Sequence, residues 1–249
     1  MNKGYVTFIN KNEKYLKLLD ILVESVLLFS TKKIEVFSIN FDYTHSSDRV
    51  INKRINLSEE SFSNICYSKL YSSFNSEFDY GIQLDSDFII TNKMDDLFNN
   101  LELVEDLPLG SLHPEDPNNQ KNIMSYLGVN VKTQPYVHAT YLFSNNETLK
   151  KTLQIENFSF EEFCKYLVSN YGIKWNTDEH FMYDKLSMNK NILIEKNRNF
   201  NNRIDRSKWE YNIEDLKKGF YIDSHLLRPY IENKTEINNL IDRIQYDNN

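Results

Sequence analysis

Two acidic pairs draw attention by their spacing. Asp85 and Asp87 close an apolar approach in the stretch Tyr80 to Ile90, YGIQLDSDFII, and Asp178 and Glu179 stand side by side in WNTDEHF. Carboxylates crowded at the end of a buried strand cost several kcal/mol unless something partners them, so a cation is the natural companion of the first pair. Their hard oxygens suit Mg2+ or Mn2+, and such an ion bridges phosphate oxygens in turn. The expected ligand is therefore a nucleotide diphosphate held through a divalent metal. An acid pair one residue apart also ends many strands that run into polar turns, so its meaning depends on what else reaches it. In the following TNKMDDLF, Asp96 reads as helix-start chemistry ahead of Leu97 and Phe98.

Other groups close successive apolar segments: Asn10, Lys69, His138 with Thr140, and His225 with Arg228. Lys69 could offset phosphate charge, although a lone lysine on a helix is ordinarily solvated. His225 could add a nitrogen ligand, which favours Mn2+; otherwise it is a histidine satisfied at a strand-to-turn junction. In the second acid pair, one carboxylate could orient a substrate while the other faces the reacting carbon as nucleophile or stabiliser. The same two acids, after an N-cap at Thr177, are also what a helix macrodipole favours in its first turn. Trp175 is either core or a platform for a sugar face.

These groups need elements that bring them to one edge. Gly4 to Asn10 reads as a strand and Lys11 to Ser30 as a helix, with Tyr15, Leu19, Leu22, Val26 and Phe29 on one stripe. Lys33 to Asn40 reads as a second strand, FDYTHSSD as a loop, RVINKRINL as a short strand and Ser61 to Phe74 as a helix leading into the strand at Tyr80. This alternation predicts an α/β fold with a mixed, mostly parallel sheet, whose ligands bind beyond the carboxyl ends of its strands. Further on, PLGSLHPEDPNNQKN is expected to be a loop, Tyr136 to Asn146 a buried strand, and Glu147 to Ile155 and Phe158 to Tyr171 helices. NILIEK is expected to be a strand, Asn197 to Glu210 a basic run, KGFYIDSHLLRPYI a last strand and turn, and Thr235 to Tyr246 an amphipathic helix. No linker or repeat divides the chain, so one domain over residues 1–249 is expected, with a helical tail from about residue 233.

The composition narrows the function classes. With 29 basic and 36 acidic residues the net charge is −7, which argues against a nucleic-acid footprint. Cys66 and Cys164 are the two cysteines, too few for a disulfide framework or a zinc cluster. The most apolar window, Ile21 to Phe29, is too short to span a bilayer and carries Glu24. No signal peptide is read, and a cytoplasmic setting is expected, free or peripheral to a membrane.

Taken together, these stretches resemble a glycosyltransferase of the GT-A fold from Gly4 to Pro229. IQLDSDFI resembles the metal- and nucleotide-binding signature, implicating Asp85, Ser86 and Asp87, and NICYSKLYSSF resembles the helix that carries a phosphate-contacting arginine in retaining members, with Lys69 near that place. PLGSLHP, YVHATYLFSN and WNTDEHF are similar to glycosyltransferase family 6, the group of the blood-group A and B transferases and α-1,3-galactosyltransferases. That resemblance implies His138, Ala139 and Thr140 beside the donor sugar, Glu179 under the anomeric carbon, Asp178 orienting the donor and Trp175 on the acceptor side. IDSHLLRPY is similar to family 8, which implies His225 as third metal ligand and Arg228 near the phosphates. The resemblance also implies nucleoside contacts from Phe8, Ile9 and Asn10, a UDP-sugar donor, a glycan acceptor, Mn2+ or Mg2+, and hexose transfer with retention. Three alternatives stay open: an inverting transferase with Glu179 as base, a nucleotidyltransferase acting on a sugar phosphate, and a non-catalytic carbohydrate-binding relative.

Overall fold

The computed structural model describes residues 1–59, 61, 64–104, 109–112, 137–144, 151, 159–171 and 221–223. Strand β1, Lys3–Asn10, is followed by helix α1, Glu13–Phe29, and strand β2, Lys33–Ile39. Strand β3, Val50–Ile55, then leads to helix α2, Ile65–Phe74, and strand β4, Tyr80–Gln83. Strand β5, Phe88–Ile90, runs into a 3-10 helix, Met94–Val104. Strands β6, Leu109–Leu112, and β7, Val137–Ser144, helix α3, Phe160–Tyr171, and strand β8, Tyr221–Asp223, complete the described elements.

Six strands form one sheet in the order β3-β2-β1-β4-β7-β6. β1 to β4 are mutually parallel, and β7 and β6 run antiparallel at the far edge. This is the expected α/β architecture with a mostly parallel sheet. Along β1 the alternating side chains serve two layers. Tyr5 and Ile9 pack with Leu19, Leu22, Val23 and Val26 of α1, whereas Val6 packs with Cys66, Leu70 and Phe74 of α2 and Phe163 and Leu167 of α3. Each fully buried large apolar side chain contributes about 2 kcal/mol. Among the described residues no helix is long and apolar enough to cross a membrane.

Local chemistry sets the ends of these elements. The Asn12 side chain accepts from Lys14 N at 3.1 Å and starts α1, one residue pair later than the hydrophobic stripe predicts. At the other end, the Arg49 guanidinium donates to Ser30 O at 2.5 Å and to Leu27 O, placing a cation against the negative end of the helix. Asp95, in the first turn of the 3-10 helix, accepts from Tyr5 Oη and from Ser30 Oγ, the latter at 2.7 Å. It thereby ties β1 to the carboxyl end of α1.

The strand at Tyr80 ends at Gln83, and the acids stand in the turn at Leu84 to Asp87 that joins it to β5, as the sequence suggests. Two expectations change. Helix α2 begins at Ile65 rather than Ser61, because Asn64 caps it by accepting from Tyr67 N at 2.9 Å. The segment expected as a proline-rich loop contains β6, since Leu109–Leu112 finds hydrogen-bonding partners on β7 that no local pattern announces. The expected elements at Glu147 to Ile155, NILIEK, Asn197 to Glu210 and the tail from about residue 233 lie outside the described residues, apart from Lys151.

Three tyrosines are held in the neutral form. Burial, reinforced by Tyr71 and Cys164, pushes the Tyr67 phenol up to about 12, and burial followed by Asp95 and Asp20 raises Tyr5 and Tyr43 respectively. A raised pKa means that the fold favours the protonated phenol. That stabilisation is complete below the unfolded value of 10.0 and is lost as pH climbs toward the folded value near 12 for Tyr67. Urea denaturation is therefore expected to give a midpoint that falls from pH 10 to 12, with a shallower fall in Tyr67→Phe.

Candidate active site at the carboxyl edge

The acid pair sits in a tight turn. Leu84 N donates to Val6 O at 2.8 Å, and Phe88 N donates to Asp85 O at 3.2 Å, so Ser86 and Asp87 occupy the central positions of a β-turn. The turn stands at the carboxyl end of β4, where an open parallel sheet presents its ligand crevice. Beyond it, β5 is buried throughout, and Ile90 N donates to Ser25 Oγ of α1 at 3.1 Å. The turn is therefore held on both flanks.

Strand alternation decides which way each side chain goes. Ile82 and Leu84 face the α1 layer, while Gly81 and Gln83 face α2 and β7. Asp85 continues the second set. Its Oδ1 lies 2.6 Å from Lys69 Nζ, with the lysine side chain 1% exposed and the aspartate 29%. Lys69 is thus turned inward, the opposite of a solvated helix lysine. Taking a charge out of water costs several kcal/mol unless a close, well-oriented counter-charge compensates. Asp85 supplies one while still reaching solvent. Asp87 is more enclosed, at 8%.

Registers bring two further segments to this edge. Gln83 of β4 pairs with Tyr141 of antiparallel β7, so His138, Ala139 and Thr140 precede that pair and run past the end of β4. On the other side of β7, Gly110 pairs with Tyr141 and Ser111 with His138, leaving Ala139 and Thr140 as a bulge. Bulges re-aim strands and are frequent beside active sites. The Phe143 ring of β7 lies over Gly81, where a Cβ would stand 2.2 Å from Phe143 Cζ. In the second sheet, Phe88 pairs with Asp223 of β8, so β8 ends opposite the residue that follows Asp87. His225 comes two residues later in the sequence.

Of the residues singled out in the sequence, Asp85, Ser86, Asp87 and Lys69 come together at the turn, and His138 to Thr140 reach the same edge along β7. Phe8, Ile9 and Asn10 end β1 there, with Ile9 buried in the core and Phe8 and Asn10 half-buried. Trp175, Asp178, Glu179, His225 and Arg228 lie outside the described residues. Among the described residues no group of three His, Cys, Asp or Glu side chains comes together.

Sequence reasoning missed three residues beneath the pair: Ser72, Ser73 and Gln83, all fully buried. Serine hydroxyls compete for backbone hydrogen bonds and are unfavourable in helix interiors. The serines at 68, 72 and 73 within one helix were therefore a readable signal that this helix meets polar groups.

No protein-family model matches the chain, and no curated protein matches it. Solved structures do match. The galactosyltransferase LgtC in complex with donor and acceptor sugar analogues aligns with a TM-score of 0.51 and 15% identity, over 73% of this chain and 69% of its own. An active-site mutant of LgtC gives the same values. Mouse xyloside xylosyltransferase 1, in its apo form, aligns with a TM-score of 0.51 and 11% identity, over 90% of this chain and 97% of its own. At such identities the likeness is one of fold. The chain has the GT-A fold, a mixed α/β architecture around a mostly parallel sheet.

The ion pair can be tested by a double-mutant cycle. Asp85→Ala removes the carboxylate 2.6 Å from the buried Lys69 ammonium and is expected to cost about 3 kcal/mol in urea denaturation. Lys69→Met combined with Asp85→Ala should recover part of the loss, giving a coupling of about 2 kcal/mol.

Proposed function

We propose that the chain is a metal-dependent glycosyltransferase that moves a hexose from a UDP-sugar to a hydroxyl of a glycan acceptor with retention of configuration. The observation that carries this reading is the buried Lys69 ammonium on Asp85 in the turn that ends β4, at the carboxyl edge of a GT-A sheet. A lysine hidden in this way serves one carboxylate of the acid pair rather than solvent. The two neighbours in fold are named for the transfer of galactose and xylose, which supports sugar transfer as the reaction class.

In this reading Asp85 and Asp87, with His225 as a third ligand, hold Mn2+ or Mg2+. The end of β8 opposite Phe88 supports bringing His225 to the pair. The cation, when bound, supplies positive charge to the diphosphate as it departs. Lys69 keeps Asp85 in one orientation and, with Arg228, adds positive charge close to the phosphates. Phe8, Ile9 and Asn10 at the end of β1 contact the nucleoside, Ile9 through its backbone because its side chain is buried. The bulged His138-Ala139-Thr140 segment lines the donor sugar. Asp178 orients that sugar, Glu179 faces the anomeric carbon, and Trp175 offers a platform to the acceptor.

The test is turnover of UDP-sugars with Mn2+ and with EDTA, reading UDP release and the anomer formed. Metal-stimulated release of UDP is expected, with Asp87→Ala and Glu179→Gln each lowering turnover by about 100-fold or more. Release of pyrophosphate from a nucleoside triphosphate would replace this reading with nucleotidyl transfer. Unchanged turnover in Asp87→Ala would remove the metal role, and in Glu179→Gln would remove that carboxylate from the chemistry.

A further inference from the structure

We infer that Ser72, Ser73 and Gln83 form a buried clamp that positions the Lys69–Asp85 pair, an assignment that rests on the functional reading above for its bearing on catalysis. Ser72 Oγ lies 2.7 Å from the Lys69 carbonyl and 3.1 Å from Gln83 Oε1. Ser73 Oγ lies 2.7 Å from Gln83 Oε1 and 3.4 Å from the Lys69 carbonyl. Each hydroxyl carries one proton. The shortest contacts take them, Ser72 donating to Lys69 O and Ser73 to Gln83 Oε1. Gln83 Nε2 donates in turn to Leu84 O at 3.3 Å, the carbonyl immediately before Asp85.

The consequence is geometric. The two serines hold the backbone of the residue that carries the ammonium. They also hold the side chain two residues before the carboxylate, on the same face of β4. Both partners of the ion pair are thus referenced to one point, and every side chain in the clamp is fully buried. Helix α2 and strand β4 could pack through apolar contacts alone, as Leu70 and Phe74 do against Val6. Apolar packing is non-directional and tolerates small slides. Directional hydrogen bonds do not, and a contact of 2.6 Å between Nζ and Oδ1 leaves little room for sliding. Ser72, Ser73 and Gln83 are therefore positioning residues, which act through Lys69 and Asp85 and do not touch substrate.

The experiment reads the Lys69 ammonium directly, by NMR of lysine side chains in the 15N-labelled full chain, with the signal assigned by its loss in Lys69→Met. A slowly exchanging ammonium signal is expected in the wild type. In Gln83→Leu its exchange should quicken about tenfold, because the Ser73–Gln83 hydrogen bond that seats α2 on β4 is lost and the ammonium sits less firmly on Asp85. Ser73→Ala should give a smaller change in the same direction and serves if Gln83→Leu does not fold. Ile82→Val trims the neighbouring side chain on the opposite face of the same strand and should leave the signal unaltered despite its cost in stability. The affinity for UDP with Mn2+ should weaken about tenfold in Gln83→Leu and stay unchanged in Ile82→Val. No protected Lys69 signal in the wild type, an unchanged signal in Gln83→Leu, or an equal change in Ile82→Val would overturn the clamp. Failure of the functional reading looks different: no nucleotide sugar is turned over, while the ammonium signal still responds to Gln83→Leu and not to Ile82→Val.

Discussion

A buried ammonium group tolerates few arrangements. Lys69 lies inside the protein with its Nζ 2.6 Å from Asp85, and the surroundings must keep that carboxylate in place or leave a charge in a poor solvent. The constraint reaches outward in both directions. Helix α2 has to meet β4 at one axial position, which the Ser73–Gln83 hydrogen bond marks. β4 has to end where it does, so that the chain turns at Ser86 and Asp87 directly after Asp85. The acid pair is therefore fixed by the packing of a helix on a sheet rather than by its own short sequence.

The sheet topology makes this edge the meeting place of distant segments. β1 and β4 are parallel and bring Asn10 and Asp85 to the same side. β7 is antiparallel and reaches that side with its beginning, which is why His138 to Thr140 belong there although they open a strand. β8 reaches it from a second, two-stranded sheet through β5. Segments distant in the chain thus reach one edge of the sheet. The GT-A fold supplies this frame, and the proposed chemistry is what the particular side chains add to it.

Much of the frame was legible in the sequence because it rests on local patterns. The stripe from Tyr15 to Phe29 gives α1, the alternation of Gly4 to Asn10 gives β1, and both follow from burial on one face. The acid pair was legible as a candidate from residue type and spacing. What stayed hidden depends on partners far away in the chain. Phe88–Ile90, beyond the acids, becomes a strand of its own because β8 pairs with it and α1 receives it. Leu109–Leu112 reads as a loop beside its proline and becomes a strand because β7 pairs with it. Lys69 looks like any helix lysine until α2 is laid on β4. The second acid pair and the C-terminal histidine remain readings of sequence.

The central claim is that the Asp85–Asp87 turn, oriented by Lys69, is a divalent-metal site for a nucleotide diphosphate. It is tested most directly by crystals grown with UDP and Mn2+, with anomalous diffraction recorded at the manganese edge. The account predicts a single strong peak bonded to both carboxylates and to the diphosphate, with Lys69 still on Asp85. UDP bound without a peak at the turn, or a peak held by other residues, would contradict it.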